Sequence, residues 1–177
     1  MRRLIDFFLV SLLLTIFSGC NREPQKDHAA MTEESAPPLA TLVDAANPKT
    51  ASQLASGFWD VEGNAWRWTK RQFSVNLRPP LDSASKGAKL VLTFSVPDPV
   101  IRKLTKVTLT ASVAGVALAP ETYAKTGQYV YSRDVPAAAL AGSIVKVDFA
   151  LDKAMPPSPA DARELGVVVN SVGLEPK

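Results

Sequence analysis

From Gly57 onward the apolar residues recur at every second position, the spacing at which side chains alternate between the two faces of a strand. Phe73-Ser74-Val75-Asn76-Leu77 alternates cleanly, and Leu90, Leu92, Phe94 and Val96 form one face of a segment closed by Pro97-Asp98-Pro99. Val107, Leu109, Ala111 and Val113 alternate with Thr108, Thr110 and Ser112, and Ala114-Gly115 turns the chain into Val116-Ala117-Leu118 as a hairpin. Tyr129-Val130-Tyr131 follows a Thr126-Gly127 turn, and Val145, Val147, Phe149 and Leu151 mark a strand ended by Met155-Pro156-Pro157-Ser158-Pro159. The last strand runs over 167–174 with a bulge expected at Gly173. With 58–61 and 65–68 added, about eight short strands are predicted. One helical turn is expected over 136–140, capped by Gly142, and no helix of ordinary length. Strands without crossover helices pair antiparallel, and the compact solution is two packed sheets. The expected fold class is all-β, an antiparallel β-sandwich, with a jelly roll ahead of an immunoglobulin-like sandwich because the Cys-Trp-Cys signature is absent.

Composition narrows the chemistry. The 177 residues contain one cysteine, Cys20, and one histidine, His28, and both precede the strand-rich region. Ser-His-Asp and Cys-His catalysis, thiol redox chemistry and His/Cys zinc sites are thereby excluded from it. Asp148 or Asp152 with loop carbonyls could hold a structural calcium, but no dense acidic loop supports it, so neither a metal nor a cofactor is expected. Glu62, Asp161 and Glu164 could supply the carboxylate pair of a glycosidase, but a small sandwich without long loops rarely offers the deep cleft that chemistry needs, and the domain is read as non-catalytic.

The first residues read as a secretory leader. Met1-Arg2-Arg3 is basic, and the apolar stretch from Phe7 to Phe17 has the length of an h-region and is too short to span a bilayer. Phe17-Ser18-Gly19-Cys20 resembles the lipobox of bacterial lipoprotein signal peptides. The resemblance implies cleavage after Gly19, so that residues 1–19 are removed, and three acyl chains on Cys20, more than the two membrane signals that stable anchoring needs. Asn21 after the cysteine implies, by the same resemblance, the outer membrane, with the domain facing the periplasm or the cell surface. Residues 20–53 are expected to be the lipidated cysteine and a disordered linker, broken by Pro24, Pro37, Pro38 and Pro48 and poor in large apolar residues. His28 reads as a solvated linker residue, and 50–56 as a helical turn leading into a domain over 54–177.

Two stretches stand apart from the strand pattern. One is Gly57-Phe58-Trp59, Glu62-Gly63 and Trp66-Arg67-Trp68-Thr69; the other is Asp161-Ala162-Arg163-Glu164-Leu165-Gly166-Val167. Together they resemble the jelly-roll domains that accompany bacterial glycosyltransferases and other surface-polysaccharide proteins, over about residues 57–174. The resemblance implies an architecture like that of carbohydrate-binding modules and a saccharide-binding or saccharide-presenting role.

Trp66 and Trp68 share one face of a strand and Arg67 takes the other. That face is either part of the sandwich core or a platform on which indoles stack against sugar C–H groups while Arg and carboxylates take the hydroxyls. A split, one indole packed and one at the rim, is a third arrangement. Trp59, Tyr129 and Tyr131 are weaker candidates for the same platform. Glu62, Arg67, Asp161, Arg163 and Glu164 are the polar members of the two stretches. They either contact a ligand or form an Arg–carboxylate pair that staples the first strands to the last. Residues 54–177 hold 15 Lys and Arg against 11 Asp and Glu, a net charge of +4. Arg102, Lys103 and Lys106 read as a solvated strand edge that discourages pairing with another sheet, or as an attractor for anionic glycan. The function expected is non-catalytic glycan binding by a membrane-anchored envelope lipoprotein. The rival is a sandwich that docks onto another envelope protein. Nucleic acid is not an expected partner.

Overall fold

The computed structural model describes residues 39–177; the expected signal peptide, Cys20 and the linker as far as residue 38 lie outside the described residues. Nine strands carry the domain: β1 (Leu42–Asp44), β2 (Leu54–Glu62), β3 (Trp66–Leu77), β4 (Ala88–Val96), β5 (Val107–Val113), β6 (Val116–Tyr123), β7 (Gly127–Val135), β8 (Val145–Leu151) and β9 (Val168–Pro176). Two short helices, α1 (Ser83–Lys86) and α2 (Asp98–Leu104), and two 3-10 turns, Ala51–Gln53 and Ala137–Leu140, complete it.

Every strand pair is antiparallel, in the order β6-β5-β8-β3-β9-β4-β7, with β1 on β9 and β2 on β3. Residues 72–77 of β3 pair with β8, whereas Arg67 and Trp68 pair with β9. The sheet therefore folds at β3 into two layers, β3-β8-β5-β6 and β3-β9-β4-β7, in which the β5–β6 hairpin is the one pair of strands consecutive in the chain. This is the all-β jelly-roll sandwich. Between the layers lie the apolar faces of the alternating strands, with Leu90, Leu92, Phe94, Val96, Val107, Leu109, Val113 and Val147 sealed from solvent. Phe73 stacks on Phe149 at 4.9 Å and meets Phe58 edge-on at 5.4 Å. At the far edges β6 and β7 nearly close the sheet: Tyr131 Oη and Arg133 Nε donate to Ala119 O at 2.8 and 2.9 Å.

Several expectations are corrected. The segments 65–68 and 73–77 are one strand, β3; the polar run Thr69-Lys70-Arg71-Gln72 hides its continuity, yet Thr69 is buried against β9. β1 and the Ala51–Gln53 turn lie inside the stretch assigned to the linker. Val43 is buried, β1 completes the edge of β9, and the buried Gln53 amide bonds Ala40 and Asn76. A three-residue strand with one inward apolar side chain leaves too short a pattern to detect. The bulge lies at Asn170, where the β4–β9 register slips between Thr93 and Phe94. Gly173 instead gives room to β1, since a Cβ there would sit 2.8 Å from Leu42 Cδ1. Arg102 and Lys103 occupy the last turn of α2, not a strand edge, because Pro99 stands in the first helical turn, where its fixed φ is pre-set and its missing N–H costs nothing. The hairpin turn at Ala114-Gly115 stands as expected, with φ of +47° and +83°, a turn whose twist suits paired strands.

Candidate functional site

The two sequence stretches meet in space along β3 and the start of β9. Gly166 N donates to Thr69 O at 2.7 Å and Thr69 N to Val167 O at 2.8 Å, while the buried Thr69 Oγ1 accepts from Val167 N at 3.1 Å. Glycine is required here by close approach: a Cβ on Gly166 would lie 2.7 Å from Thr69 Oγ1 and 2.8 Å from Lys70 O. Gly57, at φ +76°, serves the same purpose on β2, where a Cβ would fall 2.0 Å from Gln72 O.

Most polar members of the stretches hold this junction together. Arg67 donates from Nε to Ala45 O at 2.7 Å and from Nη1 to Trp59 O at 2.9 Å. Trp59 Nε1 donates to Glu164 O at 2.8 Å, and Lys70 Nζ stands 4.8 Å over the Trp59 ring. The Glu164 carboxylate accepts from Arg71 N at 2.6 Å. Arg163 is the hub: Nη1 is 2.6 Å from Glu62 Oε1, and Nε and Nη2 grip the Asp161 carboxylate at 3.0 and 2.9 Å. These bonds hold Asp161 below its usual range, the side-chain bond from Arg163 being the largest cause, and they raise Arg163 in turn. A general acid of a carboxylate pair needs the opposite shift.

Trp66 and Trp68 leave the junction on the other face of β3. They line an open groove of about 500 Å³ with Glu62, Ser95, Pro97, Thr126, Gln128, Val168 and Asn170. Its floor is a lateral row of paired positions crossing four strands: Trp68 on Val168, Val168 on Ser95, and Ser95 on Gln128. Trp68 is half-buried and packs against the core, and Trp66 is 37% exposed at the rim, so the indoles are split between packing and exposure. Gly63, in the β2–β3 turn at φ +57°, backs the Trp66 ring; a Cβ there would come within 2.9 Å of it. The polar lining is one hydroxyl set, Ser95 and Thr126, and two amides, Gln128 and Asn170. Glu62 is the one charged side chain, and Arg163 neutralises it from behind. An aromatic floor with neutral donors and acceptors around it suits a flat, hydroxylated ligand.

Of the residues singled out in the sequence, the structure brings Glu62, Trp66 and Trp68 to the groove. Trp59, Arg67 and Glu164 are engaged in the junction instead. Asp161 and Arg163 line a separate hollow of about 340 Å³ with Lys103, Met155 and Ser158. Tyr131 is a core residue, fully buried, and Tyr129 packs on Tyr123 at 4.7 Å with its hydroxyl on Lys125 O; neither joins the platform. Ser95, Thr126, Gln128 and Asn170 carry no sequence signal, because each is an ordinary polar residue brought in by strand pairing. Among the described residues, no three His, Cys, Asp or Glu side chains cluster as metal ligands.

The chain matches no known protein family and no curated protein sequence. Among solved structures it is similar to a family GH115 4-O-methyl-α-glucuronidase with specificity for decorated arabinogalactans, at 12% identity and a TM-score of 0.50. That match covers 78% of this chain and 18% of the enzyme, so the chain spans under a fifth of that protein's length. A mannan-recognising carbohydrate-binding module, TmCBM27, aligns at 12% identity and a TM-score of 0.44, over 78% of this chain and 97% of the module. The CBM36-1 domain of a multidomain xylanase from the hindgut metagenome of Trinervitermes trinervoides aligns at 8% identity and a TM-score of 0.44, over 77% and 97%. The likeness to the glucuronidase is one of fold.

Proposed function

We propose that this chain is a cell-envelope lipoprotein, held at the outer membrane through acyl chains on Cys20, whose sandwich binds a glycan without acting on it. The observation that carries the reading is the pair of indoles on one outer face, Trp66 at the rim and Trp68 beneath it, bordered by Ser95, Thr126, Gln128 and Asn170. Indole faces stack on sugar C–H surfaces, and amides and hydroxyls serve as both donors and acceptors for ring hydroxyls. Among the described residues no cation lines the groove to meet an acidic sugar, and its one charged side chain, Glu62, is tied to Arg163, so the ligand class is an uncharged polysaccharide. Asp161, Arg163 and Glu164 support the groove from behind rather than touching the ligand. The lipobox-like Phe17-Ser18-Gly19-Cys20 supports the anchoring.

Calorimetry of the chain against arabinogalactan, xylan, mannan and a polyuronate tests the binding. Saturable binding to a neutral glycan, lost in Trp66→Ala, is expected; no binding by folded protein to any of them sinks the reading in favour of protein docking. Incorporation of labelled palmitate, abolished in Cys20→Ala, tests the anchor.

A further inference from the structure

The described chain begins at the end of the sandwich opposite the Trp66 groove. Arg78 N, just past the end of β3, donates to Ala40 O at 3.1 Å, and Leu174 N, near the end of β9, donates to Thr41 O at 2.8 Å. Trp66 opens β3 and Leu77 closes it, which separates the two ends by roughly 35 Å of strand. The register sets other elements at the Leu77 end: β8 starts there with Val145 opposite Leu77, and the Ala114-Gly115 turn caps β5 and β6 beside Val147.

Seven large apolar side chains are exposed among the described residues, and four of them stand at this end: Leu81 at 93%, Leu42 at 58%, Ile144 at 55% and Val116 at 38%. Leu81 rides on a stiff tip. Pro79 and Pro80 fix φ, and Pro80 O accepts from Ser83 Oγ at 2.7 Å. Thr41, Pro79, Pro80, Leu81, Leu174 and Pro176 line a hollow of about 420 Å³ beside the first described residues. Arg78 joins that lining, Lys89 stands opposite Asp134 and Glu175 in the strand register, and Lys86 and Lys177 form ion pairs with Asp82 and Asp134. An apolar cluster of this kind, rimmed by polar side chains, marks an interaction surface.

We infer that this end is a seat for the lipid bilayer, with Leu81 at its tip, so that the Trp66 groove points away from the membrane. The inference rests on the reading that Cys20 is acylated: Cys20 precedes Leu39 by 19 residues, and the chain joins the domain at this end whatever path those residues take. A short covalent link raises the effective concentration of the surface to about millimolar, so shallow insertion of a few aliphatic side chains suffices.

The test uses the acylated chain in vesicles of phosphatidylethanolamine and phosphatidylglycerol. Cys20 is the single native cysteine, so Leu81→Cys or Val130→Cys gives one free thiol for a polarity-sensitive dye. The expected result is a blue-shifted dye at 81, quenched by lipid-borne spin label about twofold more than at 130, which lies on the flank of β7. Equal, water-like emission at both positions overturns the seat. A blue shift at 81 without lipid quenching also overturns it, since a protein surface then covers the tip. A chain that stays in the aqueous fraction overturns the anchor on which the seat rests, whereas a membrane-bound chain with water-like emission at 81 overturns the seat alone.

Discussion

Arg163 Nη1 lies 2.6 Å from Glu62 Oε1, an ion pair between residues 101 apart in the chain. It ties the Pro-rich segment before β9 to the β2–β3 hairpin that presents Trp66, and it leaves the groove without net charge from Glu62. Both side chains are about a third exposed, so solvent screening limits the pair to about 1 kcal/mol. Glu62→Gln is expected to lower stability by about that amount and Arg163→Met by more, because it also frees Asp161, with the double variant close to Arg163→Met alone. Urea unfolding of all four proteins measures the cycle. Fully additive losses would mean that the two residues do not act on each other.

The Asp161 carboxyl, hydrogen-bonded by Arg163, sits below its ordinary range. The native state therefore binds that proton less readily than the unfolded chain. Its contribution to stability is present above the ordinary aspartate value of about 3.9 and is lost as pH falls through the lower native value. Melting temperature should hold above about pH 5 and fall in more acid solution. Asp161→Asn should lower the plateau and flatten the acid limb. An unchanged acid limb in that variant contradicts the assignment.

Tyr123 is buried against Phe94 at 5.0 Å, and its hydroxyl has no hydrogen-bond partner among the described residues. Burial, with the Glu121 charge adding to it, pushes that hydroxyl well above the usual tyrosine range. Tyr123→Phe removes an unsatisfied polar group while keeping the ring, and should stabilise the protein by about 1 kcal/mol, or about 4 °C in Tm. Calorimetry checks the sign; a loss of stability would reveal a partner for the hydroxyl.

Strand chemistry was legible wherever alternation ran unbroken, as from Leu90 to Val96 and from Val107 to Val113. It failed at Thr69 to Gln72, where four polar residues continue the strand: Thr69 is buried and bonded to Gly166 and Val167, Arg71 N donates to the Glu164 carboxylate, and Gln72 pairs with Ala150 of β8. It failed again at Leu42–Asp44, where the decisive contact is a pairing with β9 some 130 residues away. The two sequence stretches were visible, yet their composition alone could not separate side chains that build the junction, such as Trp59 and Arg67, from those that face outward. That division follows from the parity of β3, and the polar half of the groove follows from which strands become neighbours. Gln128 and Asn170 are therefore readable only after the sheet is assembled.

Trp59 and Trp66 make the sharpest comparison, because both are tryptophans of one hairpin with different surroundings. Trp59→Phe loses the bond to Glu164 O and should cost about 1 kcal/mol of stability while glycan affinity holds. Trp66→Ala should leave stability within about 1 kcal/mol and weaken binding by about 30-fold or more, below what the titration detects, as truncation of an aromatic anchor does.

Titration of the unmodified chain with neutral and acidic polysaccharides, followed by tryptophan emission and repeated in Trp66→Ala, tests the central claim most directly. Glycan binding in this groove predicts a saturable shift with a neutral polysaccharide that disappears in the variant. Binding that survives Trp66→Ala, or a folded chain that binds no glycan at all, would contradict it.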